Sequence, residues 1–154
     1  MAVRHQNRSV SIGSLVLCDG AFPIVFSTME ENGFGDTAME AKLLHAVTGF
    51  ETDEAGLDRM GEAVFNLERA IAVREGRTKN DDLSLVPGLE ASGDWSKGIK
   101  LDRQRYRELL KRYYELRGWD PETGVPSKKK LTELGLAEVS EALDIEDSTS
   151  EPDK

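Results

Sequence analysis

The sequence predicts an all-α fold, an irregular helical domain with long connecting loops, and three observations predict it. Leu57, Met60, Val64, Leu67 and Ile71 recur at steps of three and four, the repeat of one buried helix face. Glycines follow the candidate helices at Gly49, Gly76, Gly118 and Gly135, where a left-handed residue closes a helix most cheaply. Capping residues precede others, at Thr37, Asp102 and Ser127.

The 154 residues suit one domain of ordinary size. Charged residues make up 32% and the net charge is −9. That acidity argues against nonspecific binding to nucleic acid or to an anionic membrane. No apolar run approaches the ~20 residues that span a bilayer. A single cysteine excludes a disulfide framework and suits the reducing cytoplasm.

Residues 1–13 are polar and without a clear period, and read as a loose N-terminal segment. Ser14 to Phe26 follows, an apolar run broken by Gly20 and Pro23, expected as buried irregular backbone. It carries Cys18, which on its own chemistry is either a small inert hydrophobe or a ligand. Thr37 with Glu40 has the form of a capping box opening a helix to Thr48. Met39, Leu43 and Val47 would be its apolar stripe, with His45 beside it. No second ligand stands four residues from His45, so a half-buried structural histidine is expected.

A long helix from about Asp53 to Glu75 is the expected spine of the fold. Asp53 and Glu54 suit its positive end and Arg74 its negative end. Gly76 to Leu101 has no sustained period and reads as a docking or functional loop. Its Asp81-Asp82 pair suits either a hard cation or solvated turn and cap positions, and the second is favoured because no carboxylate ladder follows.

Asp102 should cap a helix over Arg103–Arg117 with Tyr106, Leu109, Leu110, Tyr113 and Leu116 inward. Between Lys97 and Arg117 eight Lys/Arg stand against three acids, so a basic face could track phosphates or pair with acids of a partner protein. The second is preferred. Trp119 to Pro126 makes a turn, Ser127 caps a short helix to Leu134, and Leu136 to Leu143 adds a last turn or two. Residues 14–143 thus form the helical domain, and 144–154 an acidic, disordered tail. No nucleophile–base pair, phosphate loop or complete metal cluster is present.

Several stretches carry a family likeness: Asn66 to Gly76, Asp81-Asp82-Leu83, Tyr113 to Asp120, Gly124 to Ser127 and Leu134-Gly135-Leu136. In order and spacing they resemble the C-terminal helical domain of the tungsten-dependent aldehyde ferredoxin oxidoreductases, from about Ser11 to Leu143. Ser14 to Asp19 resembles the segment that supplies the last cysteine of that family's [4Fe–4S] cluster. The wording Leu-Val-Leu-Cys-Asp leans toward the branch that includes benzoyl-CoA-reductase-like subunits.

The resemblance implies that Cys18 is a cluster ligand and that backbone at Leu17 approaches a tungsten bis-pterin. It also implies oxidation of aldehydes to carboxylic acids, with electrons passing to ferredoxin. Two positions depart from the pattern: Gly13 stands where the family places a pterin-contacting Asp, and Ser84-Leu85 replaces a Leu-Pro pair. A [4Fe–4S] cluster takes about four cysteine thiolates, and this chain has one. The chain is therefore expected to need a missing N-terminal pterin-binding part as partner, and to be inactive without it. The other expectation is a non-enzymatic helical interaction module using the basic face.

Overall fold

The computed structural model describes residues 2–18, 36–84 and 102–143. Its helices are α1 (Ala2–Ser14), α2 (Met39–Thr48), α3 (Glu54–Arg74), α4 (residues 79–84), α5 (Arg103–Arg117), α6 (Lys128–Glu133) and α7 (Ala137–Ala142). The only pairing outside helices among the described residues is a bridge between Trp119 and Pro126. The all-α expectation holds. The chain divides into two compact units, with the boundary inside α3 between Phe65 and Asn66.

The first unit departs most from expectation. Residues 2–13, expected to be loose, lie in α1, which runs on through Ser14. Its buried residues are Asn7, Ser11 and Ile12, two of them polar, which is why no apolar period announces it. Polar contacts hold it instead. Ser11 Oγ donates to the Leu57 carbonyl of α3 at 3.0 Å, and Arg8 pairs with Glu40 of α2 at 3.0 Å. Gly61 of α3 is buried where a Cβ would overlap the Asn7 carbonyl oxygen and Ser11 Oγ, so the two backbones approach closely at a residue without a side chain.

Helix α2 ends on Gly49 at φ 74° as expected. Its start differs. The capping box is not formed; Asp36 Oδ1 instead accepts from the Ala38 amide at 3.0 Å, and Glu40 is spent on Arg8. The expected apolar stripe is not the buried face either. Glu40 and Ala41 are the buried residues, while Val47 is 84% exposed and Met39 is exposed. His45 is exposed rather than half-buried.

The spine helix α3 has the predicted extent, but its buried register is shifted. Leu57 is buried, whereas Met60 and Ile71 are exposed. The second unit buries Asn66, Arg69 and Ala70 from this helix. Helix α5 is capped by Asp102, whose carboxylate accepts the Gln104 and Arg105 amides. Its inward side is again offset, with Tyr114 and Arg117 buried and Leu109 and Leu116 exposed. Ser127 caps α6 as expected, accepting the Lys130 amide at 3.1 Å. Gly135 then breaks the chain at φ 77° before α7. The expected acidic tail and the loop residues 85–101 lie outside the described residues.

Candidate functional site

The cysteine segment emerges from the C-terminal end of α1. Val16 N–H donates to the Gly13 carbonyl at 3.1 Å and Leu17 N–H to the Ile12 carbonyl at 3.0 Å, the paired bonds of a Schellman motif. The same pair of bonds closes α3 at Gly76, α5 at Gly118 and α6 at Gly135. In those three the left-handed position is glycine. Here it is Val16, at φ 59° and 90% exposed. A β-branched residue in that region is a true outlier and stores on the order of 1–2 kcal/mol of strain.

Cys18 follows two residues later and is exposed, as a free thiol. That corrects the expectation of a buried segment over its described part. Leu17 is half-buried. Its amide is committed to Ile12, so the groups it can turn toward a cofactor are its carbonyl and side chain. Gly13 is exposed on α1 with open space about it. Among the described residues no three His, Cys, Asp or Glu are grouped to hold a metal ion. With one cysteine in the sequence, this chain could offer at most one thiolate to a cluster that takes about four. Residues 19–26 of the segment lie outside the described residues.

In the second unit, sequence reasoning missed a buried polar cluster around Asp82. Asp82 Oδ1 accepts from Arg69 Nη1 at 3.2 Å and from Arg77 Nε and Nη2 at 2.9 and 2.7 Å. Oδ2 accepts from the Tyr114 hydroxyl and lies 2.8 Å from Arg69 Nη2. That last contact is an ion pair out of line with the N–H bonds, which leaves Nη2 as a buried nitrogen without a hydrogen bond. Arg69 is only 7% exposed, its Nε donates to the Gly124 carbonyl at 2.9 Å, and its guanidinium lies 4.9 Å from the Trp119 ring centroid. Trp119 Nε1 in turn donates to Asn66 Oδ1 at 2.7 Å.

Burial pushes the Asp82 carboxyl up, but hydrogen bonds from Arg69, Tyr114 and Arg77 outweigh it and hold the pKa below the usual carboxylate value. Burial, and then the bond to Asp82, raises the Tyr114 phenol. Both oxygens of Asp82 accept hydrogen bonds from protein donors, three at Oδ1 and one at Oδ2. The cluster reads as structural. Asp81 beside it accepts the Thr78 amide and hydroxyl at 2.7 and 2.8 Å. The Asp81-Asp82 pair is thus one cap and one buried hub. The missed signal was polar: Asn66, Arg69 and Arg117 occupy core positions that a hydropathy pattern assigns to solvent.

The basic face is also smaller than the sequence implies. Arg117 is fully buried, its Nε donating to the Tyr113 hydroxyl at 3.1 Å, and Lys111 pairs with Glu122 at 2.8 Å.

These observations define a helical protein part that offers one exposed thiol after a strained helix end. Residues 1–136 match the family model described as aldehyde ferredoxin oxidoreductase, domains 2 and 3, so the chain belongs to the aldehyde ferredoxin oxidoreductase family. The match begins ahead of Ser11 and includes α1. The chain is 33% identical over 139 residues to the tungsten-containing aldehyde ferredoxin oxidoreductase of Pyrococcus furiosus, covering 90% of this chain and 21% of that protein. Against the Thermococcus kodakarensis enzyme of the same description it is 30% identical, with the same coverage. A solved structure, the active site complex BamBC of benzoyl coenzyme A reductase with 1,5-dienoyl-CoA, aligns with a TM-score of 0.55 and 28% identity, over 69% of this chain and 15% of that one. The chain thus spans about a fifth of the length of the curated relatives it matches. No described helix is long and apolar enough to cross a membrane.

Proposed function

We propose that this chain is the cysteine-donating helical part of a tungstopterin and iron–sulfur enzyme of the aldehyde ferredoxin oxidoreductase type. The observation that carries this reading is the single cysteine of the chain, exposed just beyond α1 and inside the matched region. Cys18 supplies one thiolate to a [4Fe–4S] cluster whose remaining ligands come from the N-terminal pterin-binding part of the enzyme, and Leu17 turns its carbonyl and side chain toward the pterin. The assembled enzyme oxidises aldehydes to carboxylic acids and delivers the electrons to ferredoxin. The family names support it, as does the cysteine count: one thiol cannot by itself hold a cluster that takes about four.

The test is co-expression with a complementary polypeptide, made as the Pyrococcus furiosus relative lacking the segment this chain matches. The wild-type complex is expected to contain iron, with the visible absorbance of an iron–sulfur cluster, and Cys18→Ser is expected to lower both. Iron content and spectrum unchanged in the Cys18→Ser complex would overturn the ligand assignment.

A further inference from the structure

Helix α5 carries a seven-residue repeat. Arg105-Tyr106 and Glu108-Leu109 recur as Arg112-Tyr113 and Glu115-Leu116. Seven residues make almost two whole turns of a helix, so the repeated residues share a face. The tyrosines turn toward the second unit. The Tyr106 hydroxyl donates to the Asp82 carbonyl at 3.3 Å, and the Tyr113 ring stands 5.8 Å from that of Trp119, edge-on. The other three residue types stay in water. Leu109 is 56% and Leu116 64% exposed, and Arg105, Glu108, Arg112 and Glu115 are exposed as well. At 3.6 residues per turn, Arg105, Leu109, Arg112 and Leu116 fall within about 60° of one another, and Glu108 and Glu115 line one edge of that row. The Lys111–Glu122 ion pair lies further round the helix.

We infer that this row is the face by which two copies of the chain pair, with their α5 helices antiparallel about a two-fold axis beside Arg112. The row is complementary to itself. In that arrangement Leu109 of each copy meets Leu116 of the other, burying apolar surface that the fold leaves in water. An antiparallel pair keeps the two glutamate edges on the same side, so both copies of Arg112 lie between glutamates of both chains. A parallel pair would put those edges on opposite sides, out of reach of the arginines. The net −9 of each copy opposes association, but at physiological ionic strength charges more than about 8 Å apart are largely screened. The row itself is balanced, with Arg105 and Arg112 against Glu108 and Glu115. Nucleic acid is a poorer occupant, because those glutamates would face its phosphates. A single helix face is small against the roughly 1,200 Å² of a stable interface, so the dimer is a weak one.

The experiment is sedimentation equilibrium of the full chain in physiological salt, at concentrations up to about 1 mM, where weak complexes form. The expected result is a monomer–dimer equilibrium. Arg112→Glu and Glu115→Arg should each raise the dissociation constant at least about tenfold, by setting like charges together. Mixed in equal amounts, the two variants should recover the dimer, because each supplies the charge the other lacks. That recovery also shows that both variants fold. Leu109→Ser with Leu116→Ser should weaken the dimer while keeping the helical circular dichroism, since both positions are exposed. Val47→Ser, an exposed position of α2, is the control and should change nothing. A wild-type chain that stays monomeric throughout would overturn the inference. A dimer unmoved by the charge and leucine variants, or a mixture that recovers nothing, would overturn it too.

Discussion

At the scale of single residues, Val16 and Asp82 carry opposite lessons. Val16 occupies a left-handed position that glycine fills in the three equivalent helix ends, with its side chain in solvent. Val16→Gly should therefore raise stability by about 1 kcal/mol, since the strain removed outweighs the backbone freedom that glycine adds to the unfolded chain. Denaturant melts of the isolated chain measure this, and a loss of stability would show that the left-handed cap is unstrained. Asp82 is the reverse case, a residue whose removal strands its neighbours. Asp82→Asn leaves the guanidinium of Arg69 buried without its counter-ion, a loss on the order of 3–5 kcal/mol. The pH dependence follows in sign. Because the folded carboxyl sits below its ordinary value, its contribution is complete above the unfolded pKa of about 3.9 and is lost as pH falls through the lower folded value. Wild type should lose stability on acidification through that window more steeply than Asp82→Asn, as chemical denaturation at a series of pH values would reveal.

At the scale of elements, α1 and α3 meet through small and polar groups, and two glycines test that contact. Alanine at an open helical position gains up to about 1 kcal/mol over glycine. Gly13 faces open space, so Gly13→Ala should show that gain. Gly61 abuts the α1 backbone, so Gly61→Ala should instead lose about 1–3 kcal/mol through overpacking. Melting temperatures that move in the same direction for both would mean that the close approach does not exist in solution. The same contact explains what was legible beforehand. Helices α2, α3, α5 and α6 announced themselves by period, cap and glycine stop, and their bounds agree within a residue or two. Two helices failed to announce themselves: α4, which lies in the stretch from Gly76 that reads as a loop and is too short to show a period, and α1, because Asn7 and Ser11 do the packing. The inward registers of α3 and α5 were misread for the same reason: Arg69 and Arg117 are core residues held by partners distant in sequence, and no local pattern encodes such pairing. Cys18 and Leu17 were legible as a candidate site through family likeness. The strained cap that presents them was not, since nothing marks valine as a helix stop.

At the scale of the whole molecule, the chain is two compact units joined within one continuous helix, and the chemistry is divided accordingly. The exposed thiol belongs to the first and the buried ionic hub to the second. Neither unit has an active centre among its described residues.

The inward charge of α2 has a consequence under salt. Glu40 is nearly buried and Arg8 about a third exposed, whereas Lys42 and Asp36 at the start of the same helix are more open to water. Dissolved ions screen exposed pairs far more than buried ones. Added salt should therefore loosen the Lys42–Asp36 contact first and leave α2 fastened to α1 through Glu40 and Arg8.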